Sequence, residues 1–216
     1  MPGPITSLPV VLTQPGYYYL TPQAVANAVT APNYAIVING SGITLDLRDL
    51  TVNCAYGVEI TNGSASNSGV TVESTPNGGA VINSSPASGA PVGLVIMGNV
   101  SNNTVTGVTF TGLNKDNNYV GCNNQDNGSN DTIKFCSFTG LFFVGGDHET
   151  FMKNSLAEPA AYIGRFSVFT DNSGQANSFK LNSVTSGNVQ LLGTDTYQNN
   201  SLAAGSQIFG GKKLGN

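Results

Sequence analysis

A seven-residue pattern repeats along the second half of the chain and restricts the fold more than any other feature. It consists of Thr or Ser, an apolar residue, two variable residues, a small or amide residue, Ser or Thr, and an apolar residue. Its copies begin at residues 104, 132, 150, 178 and 196, so the spacings alternate between 28 and 18 residues and two copies span 46 residues. A fixed period of this kind is typical of repeat proteins whose units stack on one another.

Apolar and polar residues alternate within the pattern, as in Thr104–Phe110. A period of two predicts strands with one face directed inward. At an average of 23 residues, each unit is too short for a crossover helix, so turns alone must join the strands. The sequence therefore predicts an all-β, single-stranded parallel β-helix whose coils bring equivalent residues to about 4.8 Å from one another.

The fifth position of the pattern predicts a structural ladder. Asn amides both donate and accept hydrogen bonds, so stacked copies can bond to one another and to turn backbone, and Asn tolerates left-handed turn geometry. In successive copies the fifth position is Val108, Cys136, Asn154, Asn182 and Asn200, and the last three form the predicted ladder.

The alternating spacing also predicts an extra loop of about ten residues in every second coil, on the side where variable function concentrates.

No change in composition marks a linker, so we expect a single domain over residues 1–216. Residues 1–33 are predicted to form an N-terminal strand and helix cap, residues 34–209 the coils, and residues 210–216 a tail. The strand is Tyr17–Leu20, and a short helix over Thr21–Val29 has Thr21 as N-cap. Since no such helix closes the other end, that end is predicted to stack on another subunit.

The low charge of the chain excludes several partners. Charged residues make up 9% of the sequence, the net charge is -4, and the two arginines, Arg48 and Arg165, form no basic stripe. We therefore expect no nucleic-acid partner.

No apolar run approaches the roughly 20 residues of a membrane-spanning helix, so no membrane span is expected.

Several segments carry a resemblance to a known group. Ile5–Pro9, Thr13–Tyr17 and Gly42–Leu47 resemble the opening of bacterial right-handed β-helix repeat proteins of the pectate-lyase-like superfamily, and Ser101–Thr104 and Ser129–Thr132 are similar to that group's coil starts. The resemblance implies a right-handed helix. Members of the superfamily include polysaccharide lyases, hydrolases and epimerases, and also tailspikes and adhesins without enzymatic activity, so the resemblance leaves the function open.

The densest group of ionisable residues is Asp147, His148 and Glu149, which contains the only histidine. In a catalytic interpretation His148 is the acid or base and Asp147 or Glu149 is its partner. The segment resembles the Asp-Pro-His-Glu motif of β-helix alginate epimerases but lacks the proline. The favoured alternative is a polar turn in which Glu149 directly precedes a strand, as Asp131 and Asp195 do in their coils.

Two further groups have both a functional and a structural interpretation. Asp46 and Asp49 could pair with Arg48 or hold a metal, or could belong to a turn that follows the general fold pattern. Lys134 and Lys180 share an outward column and could contact an anionic sugar, or could serve solubility. No nucleotide or zinc motif occurs. We therefore predict no cofactor, with Ca²⁺ left as a weakly supported alternative.

These observations favour a structural or interaction protein located extracellularly, on a cell surface or on a virion surface. We expect it to self-associate into a fibre, spike or surface layer, with polysaccharide as a further contact. The alternative is a polysaccharide lyase or epimerase that acts on an acidic glycan. Enzymatic activity stays open but is not favoured, because few residues appear reserved for chemistry.

Overall fold

A computed structural model describes residues 2–61, 67–74, 79–84, 92–98, 100–112, 120–126, 130–138 and 141–144, together with short strands between residues 150 and 213. The described residues form strands and turns. The strands are β1 (Gly3–Ile5), β2 (Val10–Leu12), β3 (Gly16–Leu20), β4 (Val29–Ile38), β5 (Ile43–Asp46), β6 (Thr51–Ile60), β7 (Asn67–Ser68), β8 (Thr71–Glu73), β9 (Val81–Ser84), β10 (Val92–Gly98), β11 (Val100–Ser101), β12 (Thr104–Thr106), β13 (Thr109–Gly112), β14 (Val120–Asp126), β15 (Thr132–Lys134), β16 (Ser137–Phe138), β17 (Leu141–Val144), β18 (Thr150–Met152), β19 (Ser155–Leu156), β20 (Ala160–Ile163), β21 (Ser167–Phe169), β22 (Asn177–Lys180), β23 (Ser183–Val184), β24 (Asn188–Gln190), β25 (Thr196–Gln198), β26 (Ser201–Leu202), β27 (Ile208–Phe209) and β28 (Lys212–Lys213).

Two large parallel sheets contain nearly all of these strands. The first sheet has 11 strands in the order β1-β3-β5-β8-β12-β15-β18-β22-β21-β25-β28, and the second has 15. β7 and β11 form a separate pair. Within the predicted tail, Lys212 and Lys213 form β28, which pairs with β25. The all-β class predicted from the sequence is therefore confirmed for the described part of the chain.

The chain visits the two sheets in turn, as the path from β12 to β18 illustrates. β12 lies in the first sheet, β13 and β14 in the second, β15 in the first, β16 and β17 in the second, and β18 in the first. Each return adds a strand that is parallel to its predecessor. In the second sheet, β6 joins two branches because its first part pairs with β9 and its later part with β4 and β10.

The register of the first sheet confirms the sequence repeat. Thr104 pairs with Thr132, Thr132 with Thr150, Thr150 with Ser178, and Ser178 with Thr196. These are the first residues of the five pattern copies. The alternating 28- and 18-residue spacings therefore correspond to consecutive strands of one sheet, and the difference in length is taken up between the strands.

The side chains that face inward form a continuous apolar column. Leu45, Val72, Val105 and Ile133 pair in register and are all completely buried. Burying a side chain of this size contributes about 1.5–3 kcal/mol relative to leaving it exposed. Since each of these four coils adds one such residue, the apolar column links the stability of each of them to that of its neighbours.

The turn within the pattern differs in one detail from the prediction. The fifth position was expected to suit a left-handed turn residue. Instead the left-handed backbone lies at the fourth position, at Gly107 with φ 71° and Phe135 with φ 54°. The fifth position, Val108 and Cys136, is buried, because the turn at the fourth residue directs the next side chain into the core.

The helix predicted over residues 21–29 is wrong. This segment forms hydrogen-bonded turns, and β4 begins at Val29. The Thr21 hydroxyl donates to the carbonyl of Ile5 at 2.8 Å instead of capping a helix. Ala24 is the one fully buried residue of residues 21–28. Ala24 and the partly buried Val25 make too little apolar contact to offset the cost of helix nucleation, whereas Val29 gains strand pairing with β6.

Two phenylalanines provide a matched test of this packing. Phe110 is completely buried, whereas Phe135 is 53% exposed. We expect Phe110→Ala to lower the free energy of unfolding by about 3–5 kcal/mol, because the substitution leaves a cavity in the core. Phe135→Ala should cost less than about 1 kcal/mol. Urea denaturation followed by circular dichroism measures both, and equal losses would contradict the described packing.

Candidate functional site

Five residues on the outward face of the first sheet form what we call the tyrosine–carboxylate patch: Tyr17, Tyr19, Asp46, Arg48 and Glu73. The alternation of each strand places them there. In β3 Tyr18 and Leu20 are buried, so the intervening tyrosines point outward, and in β5 the buried Ile43 and Leu45 direct Asp46 outward in the same way. Asp46 pairs in register with Glu73 of β8.

Asp46 is the centre of the hydrogen bonds in this patch. Its Oδ2 accepts from the Tyr17 hydroxyl at 2.5 Å, and its Oδ1 accepts from the Arg48 backbone N–H at 2.8 Å. The Arg48 Nε lies 3.5 Å from Oδ2. Since the Arg48 side chain is 49% exposed, this ion pair contributes at most about 1 kcal/mol. The hydrogen bond from the Tyr17 hydroxyl to Asp46 fixes the orientation of the Tyr17 ring.

The two tyrosine rings are unequally available to solvent. The Arg48 guanidinium carbon lies 3.9 Å from the centroid of the Tyr19 ring, a cation–π contact that covers that ring. The Tyr17 and Tyr19 centroids are 6.1 Å apart with the rings tilted by 39°. Tyr17 is 45% exposed. Tyr17 therefore presents the open aromatic surface of the patch.

The turn after β5 holds Arg48 in place. Arg48 and Asp49 have φ values of 50° and 53°, and the Leu50 N–H donates to the Leu47 carbonyl at 3.1 Å. Left-handed backbone costs an ordinary residue roughly 1–2 kcal/mol, although Asp tolerates it better. Asp49 accepts a hydrogen bond from the Ser74 hydroxyl at 2.9 Å. Asp46 and Asp49 thus both stabilise the turn.

The interpretation of Asp46 and Asp49 as a metal site gains no support from this geometry. Within the described ranges, no three His, Cys, Asp or Glu side chains lie close enough together to hold a metal ion. Asp46 accepts from the backbone N–H of Arg48, as a carboxylate that caps a turn does, and Asp49 accepts from the Ser74 hydroxyl of the next coil.

A row of hydroxyl-bearing residues begins beside the patch, and we call it the hydroxyl row. It occupies one register position on successive strands of the first sheet, starting next to Tyr17. Side chains of this kind are outward and partly exposed where the structure describes them. The row consists of Thr44, Thr71, Thr104 and Thr132, and the same register continues through Thr150, Ser178 and Thr196. The sequence pattern identified its later members but missed its first two.

The neighbouring outward row is chemically mixed. Glu73 is followed in register by Thr106, Lys134, Met152 and Lys180. The prediction that Lys134 and Lys180 share a column two coils apart is therefore confirmed at the level of strand register. Because charges of both signs occur in this row, the uncharged part of the face is the hydroxyl row beside it.

A second ladder lies on the outward face of the second sheet and was not anticipated. The Asn83 amide nitrogen donates to the Asn53 Oδ1 at 2.8 Å, and the Thr111 hydroxyl donates to the Asn83 Oδ1 at 2.8 Å. These residues pair in register across β6, β9 and β13. The predicted ladder of Asn154, Asn182 and Asn200 lies outside the described residues.

The catalytic candidates Asp147, His148 and Glu149 also lie outside the described residues. Their sequence counterparts one repeat earlier are Asn130 and Asp131, which directly precede Thr132 as His148 and Glu149 precede Thr150. Asn130 is exposed with φ 65°, and Asp131 is 1% exposed. The counterparts are thus a turn residue and a buried corner residue, which are structural positions.

The buried corner is stabilised by side chains that cap backbone N–H groups. Asp131 Oδ1 accepts from both the backbone N–H and the side-chain amide of Asn103, at 2.8 and 3.0 Å. Asn103 Oδ1 in turn accepts from the backbone N–H of Val70 at 3.1 Å. The two polar residues therefore connect three successive coils through groups that would otherwise be buried without partners.

Two cysteines contribute to the core rather than to chemistry. Cys54 and Cys136 are both buried. Burial raises the pKa of each to about 12, so the reactive thiolate is disfavoured at neutral pH. Neither thiol is therefore suited to act as a nucleophile.

Comparisons of the chain with protein-family models, with curated proteins and with solved structures give no match. In the part of the chain that the structure describes, no helix has the length and apolar character that crossing a bilayer requires. The basis for a functional proposal is therefore the chemistry of the outward faces.

The capping role of Asp131 predicts a graded effect of substitution. Asp131→Ala should lower the free energy of unfolding by about 2–4 kcal/mol, because two buried donors of Asn103 lose their acceptor. Asp131→Asn retains a side-chain oxygen and should cost about 1 kcal/mol. Chemical denaturation of the two variants checks this, and equal stability of wild type and Asp131→Ala would refute the capping role.

The hydrogen bond between Tyr17 and Asp46 raises the pKa of Tyr17, and burial and the Asp46 charge act in the same direction, whereas Arg48 opposes them. The carboxylate stabilises the protonated phenol. Asp46→Asn should therefore lower the pKa of Tyr17, and Arg48→Gln should raise it further. An NMR-detected pH titration, with Tyr17→Phe to assign the signal, measures both shifts. An unchanged Tyr17 pKa in Asp46→Asn would contradict the geometry.

Proposed function

We propose that the chain is a right-handed parallel β-helix that acts as an extracellular, cell-surface or virion-surface interaction module. The alternation between two sheets with parallel pairing supports the β-helix. Its right hand is supported by general chain geometry, since connections between parallel strands of one sheet are right-handed in roughly 98% of cases.

The observation that carries the functional proposal is the hydroxyl row with Tyr17 beside it. Hydroxyl side chains donate and accept hydrogen bonds, as the hydroxyls of a sugar do. Their spacing of about 4.8 Å along the sheet is regular, which suits a long ligand made of repeated units. The described members of the row are partly exposed on the outer face of a sheet, whereas active sites are usually concave, so the face fits polymer binding better than turnover. The ligand class proposed is polysaccharide.

We also include self-association in this proposal, and the edges of the sheets bear on its geometry. Pro4 in β1 has no N–H to donate, and the two lysines of β28 would repel an identical strand, so both strands discourage pairing. In the second sheet, by contrast, Val11 of β2 is 61% exposed. Apolar exposure on an edge strand favours contact with another molecule. Association is therefore proposed to involve the second sheet rather than the first.

Binding to a panel of immobilised neutral and acidic polysaccharides tests the proposal. We expect the protein to be retained by at least one of them and to release no unsaturated or epimerised sugar. Release of such a product, with loss of that activity in His148→Ala, would replace the interaction module with a polysaccharide lyase or epimerase.

Sedimentation velocity and negative-stain electron microscopy of the same preparation test self-association. We expect oligomers or filaments whose proportion rises with protein concentration. A monomer at every concentration would remove self-association from the proposal and leave polysaccharide binding to be judged by the binding experiment.

A further inference from the structure

We propose that the tyrosine–carboxylate patch is a subsite for a neutral saccharide, meaning one without carboxylate, sulfate or phosphate groups. The inference rests on the proposed polysaccharide contact and names the class of sugar that this face accepts. Three features carry it: the exposed and fixed ring of Tyr17, the open carboxylate of Glu73, and the excess of negative charge around them.

The Tyr17 ring provides the stacking surface. It is 45% exposed, and its hydroxyl is hydrogen-bonded to Asp46, so binding would immobilise it little further. The Tyr19 ring is covered by Arg48. A pyranose ring has a face of C–H groups, and such a face packs against an aromatic ring as other apolar surfaces do.

Glu73 provides hydrogen-bond acceptors on β8, the strand next to Asp46 on the side away from β3. It pairs in register with Asp46, which places the two backbones about 4.8 Å apart. The Asp46 oxygens are occupied by Tyr17 and Arg48, whereas no described residue donates to the Glu73 carboxylate. Hydrogen bonds from hydroxyls to carboxylates are roughly twice as strong as those between neutral groups. Glu73 therefore suits the hydroxyls of a sugar.

The charge of the patch selects against an acidic sugar. Asp46 and Glu73 of the patch, together with Asp49 in the adjoining turn, give three formal negative charges, against the single positive charge of Arg48. Arg48 is already paired with Asp46 and stacked on Tyr19, which leaves it poorly placed to neutralise a uronate. Like charges repel, so a carboxylate on a ligand bound at this patch would weaken binding.

The hydroxyl row extends the subsite along the sheet. It starts next to Tyr17 at Thr44 and continues on consecutive strands, so a longer saccharide can engage more hydroxyls at once. Once one sugar unit is bound, the next unit is held close to the next hydroxyl of the row, which gives that unit a high effective concentration. Each further contact therefore adds to the affinity. Affinity is thus expected to rise with the length of the saccharide.

Isothermal titration calorimetry of the full chain tests the inference with neutral gluco-, galacto- and xylo-oligosaccharides and with uronate oligosaccharides of matched length. Wild type should bind at least one neutral series more tightly than the uronates. Tyr17→Ala should weaken that binding by about tenfold, whereas Tyr17→Phe retains the ring and should stay within about threefold of wild type. Glu73→Gln should weaken neutral binding and reduce the discrimination against uronates.

Phe135→Ala is the matched control, because it removes another exposed aromatic ring and should leave binding unchanged. Thermal denaturation confirms that each variant is folded. Tighter binding of uronates, or equal binding by wild type and Tyr17→Ala, would overturn the inference while the proposed polysaccharide contact stands. Absence of binding to every saccharide in both this titration and the immobilised panel would overturn the polysaccharide contact itself, and the neutral subsite with it.

Discussion

In-register parallel pairing of successive strands is the constraint on which the rest of this structure depends. Each strand of the first sheet lies on its predecessor so that Leu45, Val72, Val105 and Ile133 form one buried column. A shift of one residue would move this whole set of side chains to the outer face. The burial of the column therefore fixes the register, and the register then places every other side chain of the sheet.

The outward faces inherit their order from the same register. Because inward residues stack at equal spacing, the residues beside them also stack, and this produces the hydroxyl row. The corners follow as well, since Asn103 and Asp131 can cap backbone groups only when neighbouring coils align. The regularity of a binding face is thus a consequence of core packing.

The tyrosine–carboxylate patch combines this regularity with local departures from it. The left-handed turn at Arg48 and Asp49 brings a guanidinium over Tyr19, and the Asp46 carboxylate holds the Tyr17 ring. The patch therefore offers a fixed aromatic surface, an open carboxylate and little net attraction for anions. These properties link the proposed surface role to the proposed class of ligand.

The sequence by itself determined the strand register of the second half, because the column positions require the same kinds of side chain in every coil and Thr104, Thr132 and Thr150 could be aligned by that requirement. It could not predict the contact between Tyr17 and Asp46, since these residues are 29 positions apart and belong to coils without the repeated pattern. It also failed at Thr21–Val29, where local helix signals are present but the chain forms turns that lead into β4 at Val29. Local periodicity thus decided which residues stack, whereas tertiary packing decided which outward side chains meet.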